Sequence, residues 1–407
     1  MSTSAYPEWL FDGSDIPDPL GHGERAVNFL RRLRHPKSRL PGRAFDLTPW
    51  QERIVRKIYG PCHPDGRRIV RTVVMLLPRG NRKTSLGAGL GLLHSIGPER
   101  VPGGLALFAA SDREQARIGF EEAAGICKED KRIADRLRFI DYRHRIEHPK
   151  SGCSLRAISC DAARQHGTTP TYCLVDELHA WPKRELWDVL RTGLVKTPGS
   201  LLTVITTAGR GQNNVAFDIV DYARRVARGE IDDPGTLPIL LETSADADWR
   251  DESVWRRVNP GLEQGFPDIE GLRQLAREAE SRPADREAFR QLHLNVWLDH
   301  SVDPFVPMDV YDAGKEPLDL DALAGAPCWL GVDLSSNSDL TVVTACWRVG
   351  DGYAVLPHFF CPADNLRGRQ DRDGVPYVRW AAEGDLPWKF HPAVSRALGE
   401  VTPCGAV

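Results

Sequence analysis

A chain of 407 residues with 53 Lys and Arg against 56 Asp and Glu, formal net charge −3, has no global excess of positive charge, so any contact with DNA must come from local basic clusters. Its nine cysteines are odd in number, scattered and free of CxxC pairs, which argues against a disulfide framework or a thiolate zinc site and predicts a reducing cytoplasm. The length predicts more than one domain, and no apolar run reaches the ~18 residues of a membrane span, so a soluble protein with no membrane partner is expected.

Residues 1–45 read as a polar, proline-rich N-terminal extension. Its basic run RRLRHPKSR (31–39) is either a solvated helix face or a contact to phosphate. FDLTPWQ (45–51) opens a helix over 48–59, with Thr48 as N-cap and Pro49 in the first turn. The same residues allow a compatible second reading, in which Gln51 reads the edge of an adenine and Trp50 packs near it.

An apolar strand over 70–77 then runs into PRGNRKTS (78–85) and a helix over 84–95. The nucleotide-loop pattern GxxxxGK[ST] asks for glycine where this chain has Leu77 and Arg82, but Lys83 and Thr84 are kept. Those two carry the chemistry. A lysine at a helix start reaches β and γ phosphates, the adjacent hydroxyl can ligate Mg2+, and the free backbone N–H groups favour anions. Without the flanking glycines, Gly80 is expected to carry the turn, helped by Asn81, which tolerates left-handed backbone. The alternative is an ordinary basic loop.

A strand over 105–110 leads through AASDREQA (109–116) into a helix over 113–128, followed by a basic hairpin, RHRIEH and CSLRAIS. The next strand, 172–175, ends in TYCLVDELHAW (171–181). Asp176 is placed to hold Mg2+ through water and Glu177 to polarise an attacking water, although such a pair can also simply cap the next helix. After a helix over 184–194, the strand 201–206 ends in TVITTAG. Thr206 and Thr207 there either sense a γ-phosphate or serve as ordinary strand residues. A helix over 214–228 and a strand over 237–242 complete the alternation. The expected fold is α/β: a mostly parallel sheet with helices on both faces over 46–250.

Residues 251–300 read as a helical linker with apolar Leu272, Leu275, Phe289 and Leu292, punctuated by Pro283. After DHSVDPFVPMD, a second domain over 326–386 opens with three β runs, CWLGVDLS, DLTVVTACWRV and YAVLPHFFC, the last two joined by a hairpin at 350–352. Residues 387–407 read as an atypical tail.

PRGNRKT, AASDREQA, HGTTPTYCLVDELHAWP, TVITTAG, NPGL (259–262), HLNVW (293–297) and GVDLSSNSDLT (331–341) stand in this order. Together they resemble the large subunits of tailed-phage terminases, over about residues 47 to 386. The resemblance implies a P-loop ATPase that uses ATP and Mg2+ to translocate double-stranded DNA, followed by a ribonuclease H-like nuclease using Mg2+ or Mn2+. It implies as partners a terminase small subunit and a portal protein, and a homo-oligomeric ring in the host cytoplasm with an arginine supplied in trans. Residue by residue, it assigns nucleotide binding to Gly80, Asn81, Arg82, Lys83 and Thr84, with Arg79 and Glu177 catalytic and Asp176 on the metal. Thr206 and Thr207 become the coupling motif. Asp333 matches the first metal-binding acid of the nuclease; Asp339 beside it is either a second ligand or a turn residue.

A two-metal site needs several carboxylates around ions ~3.5–4 Å apart, and one cannot suffice. The text after residue 386 lacks strand alternation, so the expectation is an incomplete ribonuclease H-like α/β domain without a competent nuclease. Two other functions fit parts of the sequence: another P-loop translocase or helicase, and a non-catalytic prophage remnant.

Overall fold

A computed structural model describes residues 5–390, except 161–167, 213, 299–312, 315–316, 335–339, 363–364, 374, 376 and 384–387. The chain divides into two compact units, Met1–Asp303 and Pro304–Val407.

Among the described residues of the first unit, eight strands form one sheet: β1 (Thr72–Leu76), β2 (Leu105–Ala110), β3 (Arg138–Ile140), β4 (Arg145–His148), β5 (Cys153–Ser159), β6 (Tyr172–Asp176), β7 (Leu201–Thr206) and β8 (Thr236–Leu240). Their spatial order is β3-β4-β5-β2-β6-β7-β1-β8. From β5 to β8 every pairing is parallel, and the basic hairpin adds β3 and β4 as an antiparallel edge. The mostly parallel sheet expected from the alternation is present.

Side chains of the central strands go alternately to two cores. Phe108, Leu174 and Ile205 face one, beneath α1 (His22–Arg31), α2 (Pro49–Tyr59), α3 (Lys83–Ser95) and α4 (Arg113–Glu129). Leu107, Val175 and Val204 face the other, beneath α6 (Glu185–Val195) and α7 (Val215–Ala227); the short α5 (Lys131–Ala134) only follows α4. Burial on both faces is why these strands read as unbroken apolar runs.

The N-terminal stretch, polar in composition, contributes Leu10, Ala26, Val27, Leu30 and Leu33 to the first core. The basic run is not a helix face, because α1 ends at Arg31. Arg31 pairs with Glu52 on α2, at 2.6 Å. His35 Nε2 lies 2.7 Å and Lys37 Nζ 3.2 Å from Glu122 on α4, and the Ser85 hydroxyl of α3 donates to the same carboxylate. Burial works against the Glu122 charge, but the hydrogen bonds from His35 and Ser85 outweigh it and hold the carboxyl down at about 2.

Helix α3 runs against the sheet at close range. A Cβ on Gly91 would stand 2.3 Å from the Phe108 ring, and one on Gly87 2.9 Å from Leu174. The glycines of GAGLGLL are therefore a packing requirement that keeps the first turn of α3 close to the strand ends.

Three further helices, α8 (Glu252–Val258), α9 (Ile269–Ser281) and α10 (Pro283–Leu294), complete the unit, with Pro283 in the first turn of α10. Leu272 and Phe289 are buried as the periodicity predicts, whereas Leu275 is 43% exposed. Phe289 makes edge contacts with Trp249 and Trp255 and lies 5.3 Å from the His293 ring.

The second unit holds β9 (Cys328–Asp333), β10 (Thr341–Val349), β11 (Gly352–Pro362), α11 (Leu366–Asp373), α12 (Tyr377–Glu383) and β12 (Trp388–Phe390), with strand order β12-β11-β10-β9. β9 to β11 are antiparallel as expected, and β12 lies parallel to β11.

Two outcomes test this packing. Gly91→Val overfills the α3–sheet contact and should lower stability by about 1–3 kcal/mol, read from the urea midpoint of the first unit. Glu122→Gln should cost about 1–3 kcal/mol at neutral pH. Because the folded carboxyl sits below its ordinary 4.5, that cost should be constant above about pH 4.5 and shrink as pH falls toward 2. A pH-independent difference would show that the charge of Glu122 is not what stabilises the docked segment.

Candidate active site at the strand ends

The loop after β1 makes its turn differently from the expectation. Gly80 does adopt positive φ, +90°, but the second left-handed residue is Arg82, at φ +52°, not Asn81. Asn81 is fully buried and works through its side chain, whose Nδ2 donates to Pro78 O at 3.2 Å and to Asn259 Oδ1 at 2.8 Å. Its Oδ1 accepts from Gly261 N at 3.3 Å. Asn259 in turn donates to His293 O at 2.9 Å, and Arg79 N donates to Leu292 O at 2.8 Å. NPGL and the end of α10 thus clamp the loop from outside. Asn259 was missed as a site residue, although NPGL itself was the available signal.

Lys83, the first residue of α3, is 7% exposed, and its Nζ lies 3.1 Å from Glu177 Oε1. The two strands that deliver these residues are not neighbours. β7 lies between them, and Leu77 N donates to Thr206 O at 3.0 Å while Glu177 N donates to Ile205 O at 2.9 Å. Glu177 itself is left-handed, φ +47° and ψ 51°, a costly conformation for a residue with a Cβ. His179 Nδ1 is 3.2 Å from Glu177 Oε2. The cap alternative for the Asp-Glu pair is not realised, since no side-chain bond caps the short helix after Glu177 or α6.

The two carboxyls are pushed apart. Burial and the adjacent Glu177 charge raise Asp176 to about 7, against the pull of Lys83. Burial also opposes the Glu177 charge, but His179 and Lys83 outweigh it and hold that carboxyl at about 2. Asp176 Oδ1 is buried without a hydrogen-bond partner. An orphaned buried carboxylate oxygen fits a hydrated Mg2+, which would satisfy it, and Thr84, half-buried in the first turn of α3, offers a second ligand.

Thr206 and Thr207 are fully buried at the end of β7. The loop they begin is tied to HLNVW. Asn295 Oδ1 accepts from Ala208 N at 3.0 Å, its Nδ2 donates to Leu241 O at 2.9 Å, and Trp297 Nε1 donates to Gly211 O at 2.7 Å.

Other predicted residues fall elsewhere. Gln51 is 2% and Trp50 4% exposed, and Gln51 Oε1 accepts from Thr48 N at 3.1 Å, as the capped-helix reading expects. Arg82 pairs with Asp46 and lies 3.9 Å over the Phe266 ring. Arg79 is exposed; burial and the Arg79 charge push His293 down to about 4. A cavity of about 270 Å3 opens beside the first turn of α3, between Phe45, Asp46, Arg82, Ser85, His35 and Glu122.

In the second unit Asp333 ends β9 opposite Val342 and is exposed. Asp339 lies outside the described residues. Among the described residues no three His, Cys, Asp or Glu side chains form a metal-holding group. No described helix is long and apolar enough to cross a membrane.

Two family models match in tandem: terminase large subunit, ATPase domain, over residues 49–225, and terminase large subunit, endonuclease domain, over residues 231–391. The large terminase subunit of Enterobacteria phage HK97 is 27% identical over 369 residues, 89% of this chain and 70% of that protein. Protein YmfN of Escherichia coli K12 is 24% identical over 229 residues, 54% of this chain and 50% of that protein. The crystal structure of the HK97 large terminase aligns at 26% identity with a TM-score of 0.60, over 89% of this chain and 72% of that one. With an ATPase domain followed by an endonuclease domain, the chain belongs to the terminase large subunit family.

Proposed function

We propose that this terminase large subunit is an ATP-driven motor that packages double-stranded DNA, acting in the host cytoplasm as a homo-oligomeric ring with a small subunit and a portal protein. The observation that carries the reading is the meeting of Lys83 and Glu177 at 3.1 Å, from motifs far apart in sequence, over a strand that ends in Thr206. In this reading residues 46–250 form the motor, 251–300 the linker and 326–386 the nuclease part. Asp333 would belong to the nuclease metal site.

Lys83 and the free N–H groups of α3 hold the β and γ phosphates, with the backbone of 80–82 shaping the turn and exposed Arg79 adding a cation. Thr84 and Asp176 hold Mg2+, which neutralises phosphate charge when bound. Glu177, kept ionised by its neighbours, orients the attacking water, and Thr206 and Thr207 connect that water's site to the loop ending β7. The cavity beside Ser85 takes the nucleoside, while Gln51 and Trp50 shape the helix behind it. When phosphate arrives, Lys83 exchanges Glu177 for a better anion, releasing one carboxylate oxygen for the water.

DNA-stimulated phosphate release should fall about a hundredfold or more in Lys83→Ala and in Glu177→Gln, with the Gln variant still binding nucleotide. Wild-type rates in both would overturn the assignment. Asn259→Ala removes one of the partners of the buried Asn81 amide and should cost about 1–3 kcal/mol of stability. It should also raise the KM for ATP; an unchanged KM would show that the clamp does not preorganise the loop.

A further inference from the structure

We propose that His179 is a positioning residue for ATP hydrolysis: it tethers the Glu177 carboxylate to the end of β7 through Thr206 and Thr207. The inference rests on the ATPase reading above and deepens it.

His179 Nδ1 lies 3.2 Å from Glu177 Oε2, 3.1 Å from Thr206 Oγ1 and 3.4 Å from Thr207 Oγ1. Hydrogen-bond accounting decides the state of that nitrogen. The Thr206 hydroxyl donates to Thr207 O at 3.0 Å and accepts from His179 N at 3.2 Å. With its one hydrogen committed, Thr206 Oγ1 turns only a lone pair toward the ring, and the ionised carboxylate is likewise an acceptor. Nδ1 therefore carries the proton, directed at Thr206 Oγ1, with Glu177 Oε2 beside it at 3.2 Å and without a well-aligned hydrogen bond of its own.

The two carboxylate oxygens of Glu177 are thus tied to different elements. Oε1 faces Lys83 of α3, and Oε2 faces His179 and, through it, β7. Lys83 is the tie that phosphate removes. The backbone of Glu177 does not fix the carboxylate by preference, since it sits in a left-handed conformation that a glutamate disfavours. Once Lys83 has turned to phosphate, the Nδ1–H of His179, 3.2 Å from Oε2, is the neighbouring donor left to take up that unpartnered oxygen and keep the carboxylate aimed. His179 is also packed against the loop after β7: a Cβ on Gly209 would meet the His179 Cβ at 3.3 Å and the Trp297 ring at 2.9 Å. Any shift of that loop moves the tether.

The test compares steady-state ATP hydrolysis of the full chain with DNA present in four variants. His179→Asn keeps an amide nitrogen near the Nδ1 position, His179→Gln carries it one carbon further out, His179→Ala removes it, and Thr206→Val removes the shared acceptor. His179→Ala and His179→Gln should lower kcat by about ten- to a hundredfold while KM for ATP changes by less than about threefold, and His179→Asn should recover most of the rate. Thr206→Val should cost less in the His179→Ala background than it does alone, because part of each loss is the same bridge. Equal rates for Asn and Gln, a His179→Ala kcat within about twofold of wild type, or additive losses in the double variant would each overturn the tether. If His179→Ala fails to fold, the Asn and Gln pair decides alone. Glu177→Gln runs alongside: full activity there removes the ATPase reading itself, whereas a dead Glu177→Gln beside an active His179→Ala removes only the tether.

Discussion

Adjacent carbonyls of one strand fix the site. The loop that carries Lys83 leaves the sheet where Leu77 bonds to Thr206 O, and the loop that carries Glu177 leaves where Glu177 bonds to Ile205 O. Parallel pairing on both sides of β7 makes this possible, since all three strands end at the same edge. A cation from one neighbour and a carboxylate from the other then meet over the end of the middle strand. Everything else at the site adjusts that meeting: the glycines of α3 bring the lysine close, His179 aims the carboxylate, and Asn295 holds the loop that follows.

The charges show why the arrangement suits hydrolysis. Two adjacent buried carboxyls cannot easily both ionise, and here the partners decide which one does. Glu177 has the Lys83 ammonium on one side and the His179 ring on the other and stays charged, while Asp176 sits deeper, with one oxygen unpartnered. One acid is held ionised and the other is short of a positive partner. A bound divalent ion completes that asymmetry.

The parts legible in sequence were those whose chemistry is local. A lysine and a threonine at the start of a helix, two acids at the end of an apolar strand and the alternation of strand and helix each need only a few neighbouring residues to be read. The left-handed residue of the phosphate loop was not legible, because Asn81 is the better left-handed former in isolation. Its side chain is instead recruited by Asn259, distant in sequence, and Arg82 takes the turn with its guanidinium stacked on Phe266. Gln51 could be read two ways for a related reason. A Thr-x-x-Gln spacing is a helix-start signature as much as a base reader, and only burial separates the two. The tie between HLNVW and the β7 loop was present in sequence as a motif, but nothing in its residue types said what it would touch.

The contact between Gly80 and Pro267 has a mechanical side. With only 2.6 Å between Pro267 and the place a Cβ of Gly80 would occupy, the phosphate loop cannot swing outward without pushing the segment that leads into α9. Helices of 12 and 13 residues such as α10 and α9 are stiff rods about 20 Å long. Pivoted at the Asn81–Asn259 bond, such a rod turned by about three degrees moves its far end by about one ångström. The Gly80–Pro267 contact therefore ties the position of the loop after β1 to that of the helical segment beside it.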